Sequence, residues 1–323
     1  FFLSYGFANS MAARWQVSDA VVFGWERHIP FMPWTILPYW SIDLFYGLSF
    51  LLCRTALQVD RHALRLLTAQ LVSVACFLLF PLRFSFARPA TDGLFGGLFD
   101  ALASFDQPYN QAPSLHISLL VILWVRFASA SRGGLRLAVH AWAVLIAVSV
   151  LTTYQHHFID LPSGALVGLL CLWLWPDAGP TPFARAGRSS PAARHLAGRY
   201  LLGALACAGL AGLLGDGALW LLWPAVALSL VALNYACLGP AGFQKHDGRH
   251  SLGAALLLAP YTLGAWINSR LWTRRRPAPD PIADGVWLGR MPDAATWRRA
   301  DSAPCSTSLP NCLPPEAPGA IPV

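Results

Sequence analysis

Long apolar stretches, separated by short polar connections, are the feature that most restricts how this chain can fold. Only 12% of its 323 residues are charged, whereas soluble domains usually carry about 25%. An apolar stretch of roughly 20 residues matches the thickness of a bilayer, and a helix satisfies its own backbone polar groups there. We therefore predict an all-α fold, a polytopic transmembrane helical bundle with a six-span core and additional C-terminal helices.

The apolar stretches divide the chain into regions. The sequence opens inside one of them, at 1–8, which predicts a truncated first span. The next spans are predicted at 36–53, 64–80, 113–128 and 135–153, and the sixth ends near Trp175. We expect a membrane-embedded domain at 1–176, a cytoplasmic linker at 177–199, further transmembrane or interfacial helices at 200–271, and a Pro-rich tail at 272–323.

The net charge of +7 comes almost entirely from arginine, since Lys245 is the only lysine. Arginines concentrate in every second connection between the predicted spans, and these connections lie on one side of the membrane. The positive-inside rule assigns that side to the cytoplasm. This pattern indicates membrane topology rather than nucleic-acid binding. The cysteines show neither metal-ligand spacing nor a disulfide framework, so we expect no metal and no cofactor.

Three polar clusters lie at the ends of apolar stretches, and the charge rule places all three on the outer face. They are 83–89, 113–116 and 154–160. His156 and Asp160 are four residues apart, so on a helix the carboxylate would accept the imidazole N–H. Ionisable groups in membrane segments are costly, which favours a functional role for these residues.

If the three clusters meet, they form a site suited to phosphoryl transfer. Arg83 and Arg88 offer planar donors for a phosphate, and backbone N–H groups near Ser114 add further donors. His156, oriented by Asp160, would attack phosphorus, and His116 would act as general acid and base. Guanidinium and backbone donors would carry the developing charge without a metal ion.

These clusters resemble the type 2 phosphatidic acid phosphatase superfamily. Its motifs are Lys-x6-Arg-Pro, Pro-Ser-x-His and Ser-Arg-x5-His-x3-Asp. The second is complete at 113–116, and the third appears as Ser149, His156 and Asp160. The resemblance, which covers about 36–175, implies a phosphohistidine at His156, acid/base catalysis by His116 and a lipid phosphate or diphosphate substrate.

Two positions depart from the family pattern. Pro81 stands where the first motif has Lys, with Arg83 as a substitute at shorter spacing, and Val150 replaces the Arg of the third motif. The run 153–161 looks more like the inositol phosphorylceramide synthase branch, which also lacks that Arg. In that branch the phosphoryl group passes to an alcohol, so hydrolysis and headgroup transfer both stay open.

The segment 284–292 resembles the opening of a dual-specificity phosphatase domain. Such a domain needs His-Cys-x5-Arg, and neither Cys305 nor Cys312 has the required Arg. We interpret the tail as a remnant without a catalytic loop. Some bacterial proteins combine these two domains, so the resemblance implies a bacterial inner-membrane protein, and the charge rule places its active site on the outer face.

Other interpretations compete with the enzyme. The same charges could line the pathway of a transporter, or the chain could be a non-enzymatic membrane anchor; ionisable groups at span ends favour the enzyme. We expect the membrane and a lipid phosphate as partners, and the oligomeric state is left open. Several residues have structural interpretations: His157 in packing, Gly164 and Gly168 in helix contact, and Arg126 as a snorkelling anchor. Asp43 and Ser149 stay undecided between the site and bundle packing.

Overall fold

The computed structural model describes residues 2–187, 189–246, 249–275, 278, 280–283 and 286–289. The chain divides into two compact units, one ending at Gly179 and the other beginning at Pro180. The three polar clusters all belong to the first unit. The predicted membrane domain at 1–176 ends close to this division.

The first unit contains seven α-helices. They are α1 (Phe2–Arg14), α2 (Ile36–Ser49), α3 (Ala56–Leu79), α4 (Gly93–Ala103), α5 (Leu115–Ala130), α6 (Gly133–Thr152) and α7 (Asp160–Leu174). Short 3-10 turns at Gly24–His28, Pro33–Thr35 and Phe50–Leu52 join them. Helix α4 lies between the predicted spans 64–80 and 113–128, where the sequence analysis predicted no helix.

Five helical segments in the described residues are long and apolar enough to cross a membrane. They are Pro33–Leu52, Ala56–Leu79, Gly133–Thr152, Pro191–Leu214 and Asp216–Phe243. Helices α5 and α7 are apolar but have only 16 and 15 residues. The polar clusters at 113–116 and 154–160 lie at the starts of these two helices, and α5 has the length of the predicted span 113–128 but begins two residues later. The six-span count stays a prediction.

Helices α5 and α7 pack closely because two glycines face α5. A Cβ on Gly164 would lie 2.5 Å from the Ser114 carbonyl oxygen, and one on Gly168 would lie 2.8 Å from that of Ser118. Gly168 follows Gly164 by four residues, and its contact Ser118 follows Ser114 by four residues, so the two helices run parallel. Ser118 Oγ also donates to the Gly164 carbonyl at 3.0 Å. The prediction that these glycines serve helix contact is confirmed.

Arg126 is not a snorkelling anchor. Its side chain is only 5% exposed, and it lies 3.4 Å from Asp177, which also pairs with the buried Arg65 at 3.2 Å. Arg65 lies on α3, which begins at Ala56 and not at 64 as predicted. Asp43 is exposed on α2, and Ser149 donates within its own helix to the Ile146 carbonyl.

The second unit is also mainly helical. Its α-helices are α8 (Pro191–Leu214), α9 (Leu222–Leu233), α10 (Leu252–Leu257) and α11 (Ala259–Trp272). Helix α8 includes the end of the predicted linker, since Ser190 caps it and Pro191 occupies its first turn. Pro260 lies in the first turn of α11, where its missing N–H leaves no hydrogen bond unmade.

Two short antiparallel strand pairs make the fold mostly helical rather than all-α. Strands β1 (Lys245–His246) and β2 (Arg249–His250) form one pair, and β3 (Asp280–Ala283) and β4 (Val286–Leu288) form the other. The second pair covers part of the dual-specificity-like segment. Cys305 and Cys312 lie outside the described residues, so the tail remnant stays a prediction.

Candidate active site

His156 lies in the turn that joins α6 to α7, not on a helix as the four-residue spacing suggested. Helix α6 ends at Thr152, and Tyr154 adopts a left-handed backbone conformation with φ +56°. The Tyr154 hydroxyl donates to the Ile29 carbonyl at 2.9 Å, which holds the turn in place. The His156 N–H donates to the Val150 carbonyl at 3.1 Å. The turn therefore folds His156 back toward the start of α7.

The predicted contact between His156 and Asp160 is present, and Ser114 extends it. His156 Nδ1 lies 3.1 Å from Asp160 Oδ2, and its Nε2 lies 3.1 Å from Ser114 Oγ. All three side chains are nearly inaccessible, with 7%, 1% and 0% exposed. A buried carboxylate fixes the proton on Nδ1, which leaves the Nε2 lone pair to accept the Ser114 hydroxyl.

Ser114 caps α5 and joins it to α7. Its Oγ accepts the Ile117 N–H at 3.3 Å, and its own N–H donates to the Asp160 carbonyl at 3.1 Å. This N–H was predicted as a phosphate donor, but the structure gives it an intramolecular acceptor. The hydroxyl is the Ser114 group that faces His156. Pro113 precedes the cap and does not occupy the first turn of α5.

His116 lies in the first turn of α5 and stacks on Tyr39 of α2, with ring centroids 4.2 Å apart. Its Nε2 is buried and has no hydrogen-bond partner among the residues that the structure describes. In that part of the chain, His116 makes no direct hydrogen bond to Ser114, His156 or Asp160. An imidazole nitrogen without a partner can transfer a proton to or from a bound substrate.

The guanidinium groups of Arg83 and Arg88 are not hydrogen-bonded to the buried triad. Arg83 is exposed, and its Cζ lies 6.0 Å from the centre of the Tyr109 ring. The Cζ of Arg88 lies 4.6 Å from the Phe99 ring. Burial lowers the pKa of Arg88, and Asp100 opposes this shift. Both side chains rest on aromatic rings, so their phosphate-binding role stays a prediction.

The backbone of the Arg83 loop is nevertheless docked against the site. Leu82 pairs with Asn110 in a parallel bridge, and the Phe84 N–H donates to the Pro108 carbonyl at 2.8 Å. These contacts place the first cluster beside the segment that leads to Ser114. The predicted meeting of the three clusters is therefore present at the level of the backbone.

Glu26, which the sequence analysis did not single out, joins the first and third clusters through His157. Glu26 Oε2 lies 3.0 Å from His157 Nδ1, and the Ser85 N–H donates to His157 Nε2 at 3.1 Å. Since Nε2 accepts, the His157 proton lies on Nδ1 and is donated to Glu26. Glu26 and His157 are only 1% and 2% exposed. His157 also stacks on Phe84, which agrees with its predicted packing role.

Replacing Glu26 with Gln should destabilise the turn that carries His156. The carboxylate accepts three N–H groups, from Phe23, His157 and Phe158, whereas an amide has one oxygen and would turn its NH₂ group toward donors. A buried unmade hydrogen bond costs about 1–3 kcal/mol, so the melting temperature of E26Q should fall by several degrees. Asp19→Asn is the matched control, because Asp19 is exposed and contacts Arg83 through its backbone carbonyl. Equal melting of the two variants would contradict this role of Glu26.

A second carboxylate, Asp106, lies near His156. It accepts the Tyr5 hydroxyl at 3.0 Å and the Asn9 amide at 3.4 Å. Burial raises the pKa of Asp106 above its usual value of 3.8, while the hydrogen bond from Tyr5 and the proximity of His156 oppose the rise. The amide oxygens of Asn9, Asn110 and Gln111 are buried without a partner among the described residues. The sequence shows no motif that would have identified this group.

The raised pKa of Asp106 predicts a pH-dependent stability. A carboxyl whose pKa is higher in the folded state than in the unfolded state stabilises the fold below pH 3.8 and loses this contribution as pH rises through the folded pKa. Asp106→Asn cannot ionise, so its melting temperature should rise relative to wild type over this range. Thermal melting in detergent at a series of pH values measures the difference. A difference in melting temperature between D106N and wild type that stays constant over this pH range would exclude the titration of Asp106.

No group of three or more His, Cys, Asp or Glu side chains in the described ranges has the arrangement of a metal site. Comparisons with protein-family models, curated proteins and solved structures found no match.

Proposed function

We propose that the chain is a membrane-embedded phosphotransferase that acts on a lipid phosphate or diphosphate through a covalent phosphohistidine at His156. The observation that carries this proposal is the buried hydrogen-bond chain from Asp160 through His156 to Ser114. It places the proton on Nδ1 and leaves the Nε2 lone pair as the nucleophile. The motif resemblance to type 2 phosphatidic acid phosphatases supports the same assignment.

In the first step the Nε2 lone pair of His156 forms a bond to phosphorus as the bond from phosphorus to the leaving oxygen breaks. His116 donates a proton to that oxygen, so the alcohol leaves neutral. In the second step His116 takes a proton from water or an alcohol, whose oxygen attacks phosphorus and releases His156. Asp160 stabilises the positive charge on the imidazole while the phosphoryl group is attached. Arg83 and Arg88 have the chemistry to bind the phosphoryl oxygens.

Trapping the intermediate tests this function. Purified protein is mixed with a lipid phosphate carrying ³²P in the phosphate that would be transferred, quenched in alkali within milliseconds, and separated by electrophoresis. A phosphohistidine survives alkali and is lost in acid. We therefore expect a protein-bound label that is stable in alkali and lost in acid, and we expect no label on His156→Asn. Phosphate turnover without any protein-bound label would overturn the covalent mechanism.

Serine catalysis is a second candidate, because the Ser114, His156 and Asp160 contacts match the connectivity of a serine-hydrolase triad. In that case Ser114 Oγ would attack an ester carbonyl and His156 would act as base. Ser114→Ala discriminates the two functions, since removing a nucleophile abolishes activity, whereas removing a hydrogen-bond donor costs less. We expect S114A to keep a measurable fraction of phosphate turnover and to form the phosphohistidine. Labelling of Ser114 by a fluorophosphonate would favour the serine mechanism.

Transfer to an alcohol is favoured over hydrolysis by the polar group around Asp106. The three unpartnered amide oxygens are acceptors that the hydroxyl groups of a polyol can satisfy. Gln111 also donates to the Gln155 carbonyl, next to His156. An inositol phosphorylceramide synthase-like headgroup transfer fits this arrangement. Product analysis with inositol or glycerol present distinguishes a phosphorylated polyol from released phosphate.

We place the site on the outer face of a bacterial inner membrane, because arginines predominate in the connections at the other end of the helices. Single cysteines at Ala90 and Ala130, introduced into a chain whose native cysteines are replaced by serine, test this orientation. Both positions are exposed. An impermeant maleimide should label Ala90→Cys in intact cells and leave Ala130→Cys unlabelled until the membrane is opened. The reverse pattern would invert the topology.

A further inference from the structure

A cluster of arginines, of which Arg65 and Arg126 are buried, lies at the ends of α5 and α7 that are remote from His156. Both helices begin at the candidate site and run parallel. At 1.5 Å per residue, Arg126 lies about 15 Å along α5 from His116. Asp177 follows the end of α7 and lies 3.2 Å from Arg65 and 3.4 Å from Arg126. This arginine cluster, formed by Arg61, Arg65, Arg126 and Asp177, is therefore separate from the catalytic machinery.

The cluster carries more positive than negative charge. Its three guanidinium groups and one carboxylate have a formal sum of three positive charges against one negative, or +2, and only Arg65 and Arg126 contact the carboxylate of Asp177. Arg61 and Arg65 also donate to carbonyls at the end of α7: Arg61 to Pro176 and Gly179, and Arg65 to Trp175. The negative end of the helix dipole offsets part of their charge.

Of the three arginines, Arg126 has the fewest acceptors to offset the charge of its guanidinium group. Its long contact to Asp177 uses an oxygen that Arg65 also uses, and its Nε has no partner in the described part of the chain. The nearby buried His62 adds no negative charge; its Nε2 lies 2.7 Å from Ser49 Oγ, which donates to the Tyr46 carbonyl. A buried guanidinium with so few acceptors is costly unless an anion binds to it.

We propose that Arg126, together with Arg65, binds a phosphate group at this end of the bundle. Guanidinium groups match the geometry of phosphate oxygens and bind them through paired hydrogen bonds. The side chain of Asp177 is 39% exposed, so the cluster reaches the surface at this carboxylate, whereas Arg65 and Arg126 are only 2% and 5% exposed. The phosphate belongs either to an anionic phospholipid headgroup or to free phosphate, and both present the same oxyanion. The site stabilises the contact of α3, α5 and α7 whenever it is occupied.

Thermal melting of the full chain in a neutral detergent tests the proposal. The probes are dioctanoyl phosphatidylglycerol, inorganic phosphate at the same concentration, and dioctanoyl phosphatidylcholine as the zwitterionic control. Phosphatidylglycerol in excess over its dissociation constant should raise the wild-type melting temperature by about 4 °C. Phosphatidylcholine should give little or no rise, because its choline cation offsets the charge of its phosphate. An equal rise with inorganic phosphate supports the oxyanion site and assigns it to free phosphate, and a rise with phosphatidylglycerol alone assigns it to the headgroup.

Variants separate ligand binding from structure. Arg126→Gln should lose at least two thirds of the ligand-dependent rise, whereas Arg132→Gln, an exposed arginine just beyond α5, should keep it. A purely structural Arg126 would lower the starting melting temperature of R126Q and leave the rise unchanged, which would overturn the proposal. A second outcome would also overturn the proposal: the ligand-dependent rise in melting temperature is lost in Arg88→Gln and kept in R126Q. That result would mean that the ligand binds at the candidate catalytic site. If R126Q does not fold, Arg126→Lys retains the charge without the paired donors, and the rise should halve; a full rise in R126K would then contradict the site.

Discussion

Replacing His156 with Asn should reduce phosphate turnover by about 10⁴-fold or more while the protein stays folded. The substitution removes the Nε2 lone pair, and loss of a covalent nucleophile has effects of this size or larger. The asparagine amide can still donate toward Asp160, so the packing of the turn is largely kept. Steady-state release of phosphate from a lipid phosphate, together with thermal melting in detergent, measures both effects.

The control for this substitution is His195→Asn, because His195 is exposed on α8 in the second unit and lies outside the site. Its turnover should equal that of wild type. Activity of H156N within about tenfold of wild type would remove His156 from the role of nucleophile. His116→Gln extends the test, with an expected loss of about 10²–10⁴-fold, the usual contribution of a general acid.

The sequence predicted those contacts that depend on residues only a few positions apart in the chain. The pairing of His156 with Asp160 was predicted from their four-residue separation and is present, although a turn rather than a helix produces it. A close helix contact at Gly164 and Gly168 was predicted, because two small residues four apart allow backbones to approach, but its partner α5 and its parallel direction were not. In both cases the relevant residues lie within one helical turn of each other.

Contacts between distant segments were not predictable in the same way. Glu26 lies in a segment that shows no motif, and its partner His157 is 131 residues away. Arg126 was interpreted as an interfacial charge, and Arg65 was not singled out, because a sequence does not show which side of a helix faces its neighbours. Their common partner, Asp177, lies beyond the last predicted span of the domain. Such pairings depend on the tertiary arrangement of helices, which periodicity alone does not specify.

The second large effect is expected at Gly164, whose replacement by Ala should damage both stability and catalysis. A Cβ there would lie 2.5 Å from the Ser114 carbonyl oxygen and 3.0 Å from the Ile117 Cβ, so α5 and α7 would have to separate. Overpacking of this kind costs about 1–3 kcal/mol. The displaced residue is Ser114, which hydrogen-bonds to His156 and to the Asp160 carbonyl. Turnover should therefore fall at least about tenfold, because small errors in catalytic geometry have large effects on rate.

Two glycine variants distinguish site displacement from general loss of stability. Gly47→Ala in α2 meets no atom within 4 Å, so it should keep full activity and gain slightly in stability, since alanine is the better helix former. Gly168→Ala meets Val121 and Ser118, one turn further from His156. It should lower the melting temperature about as much as G164A but reduce turnover less. If G164A melts and turns over like wild type, the close approach of α7 to Ser114 does not position the nucleophile; if G168A loses as much turnover as G164A, activity follows helix packing in general rather than the geometry of Ser114 and His156.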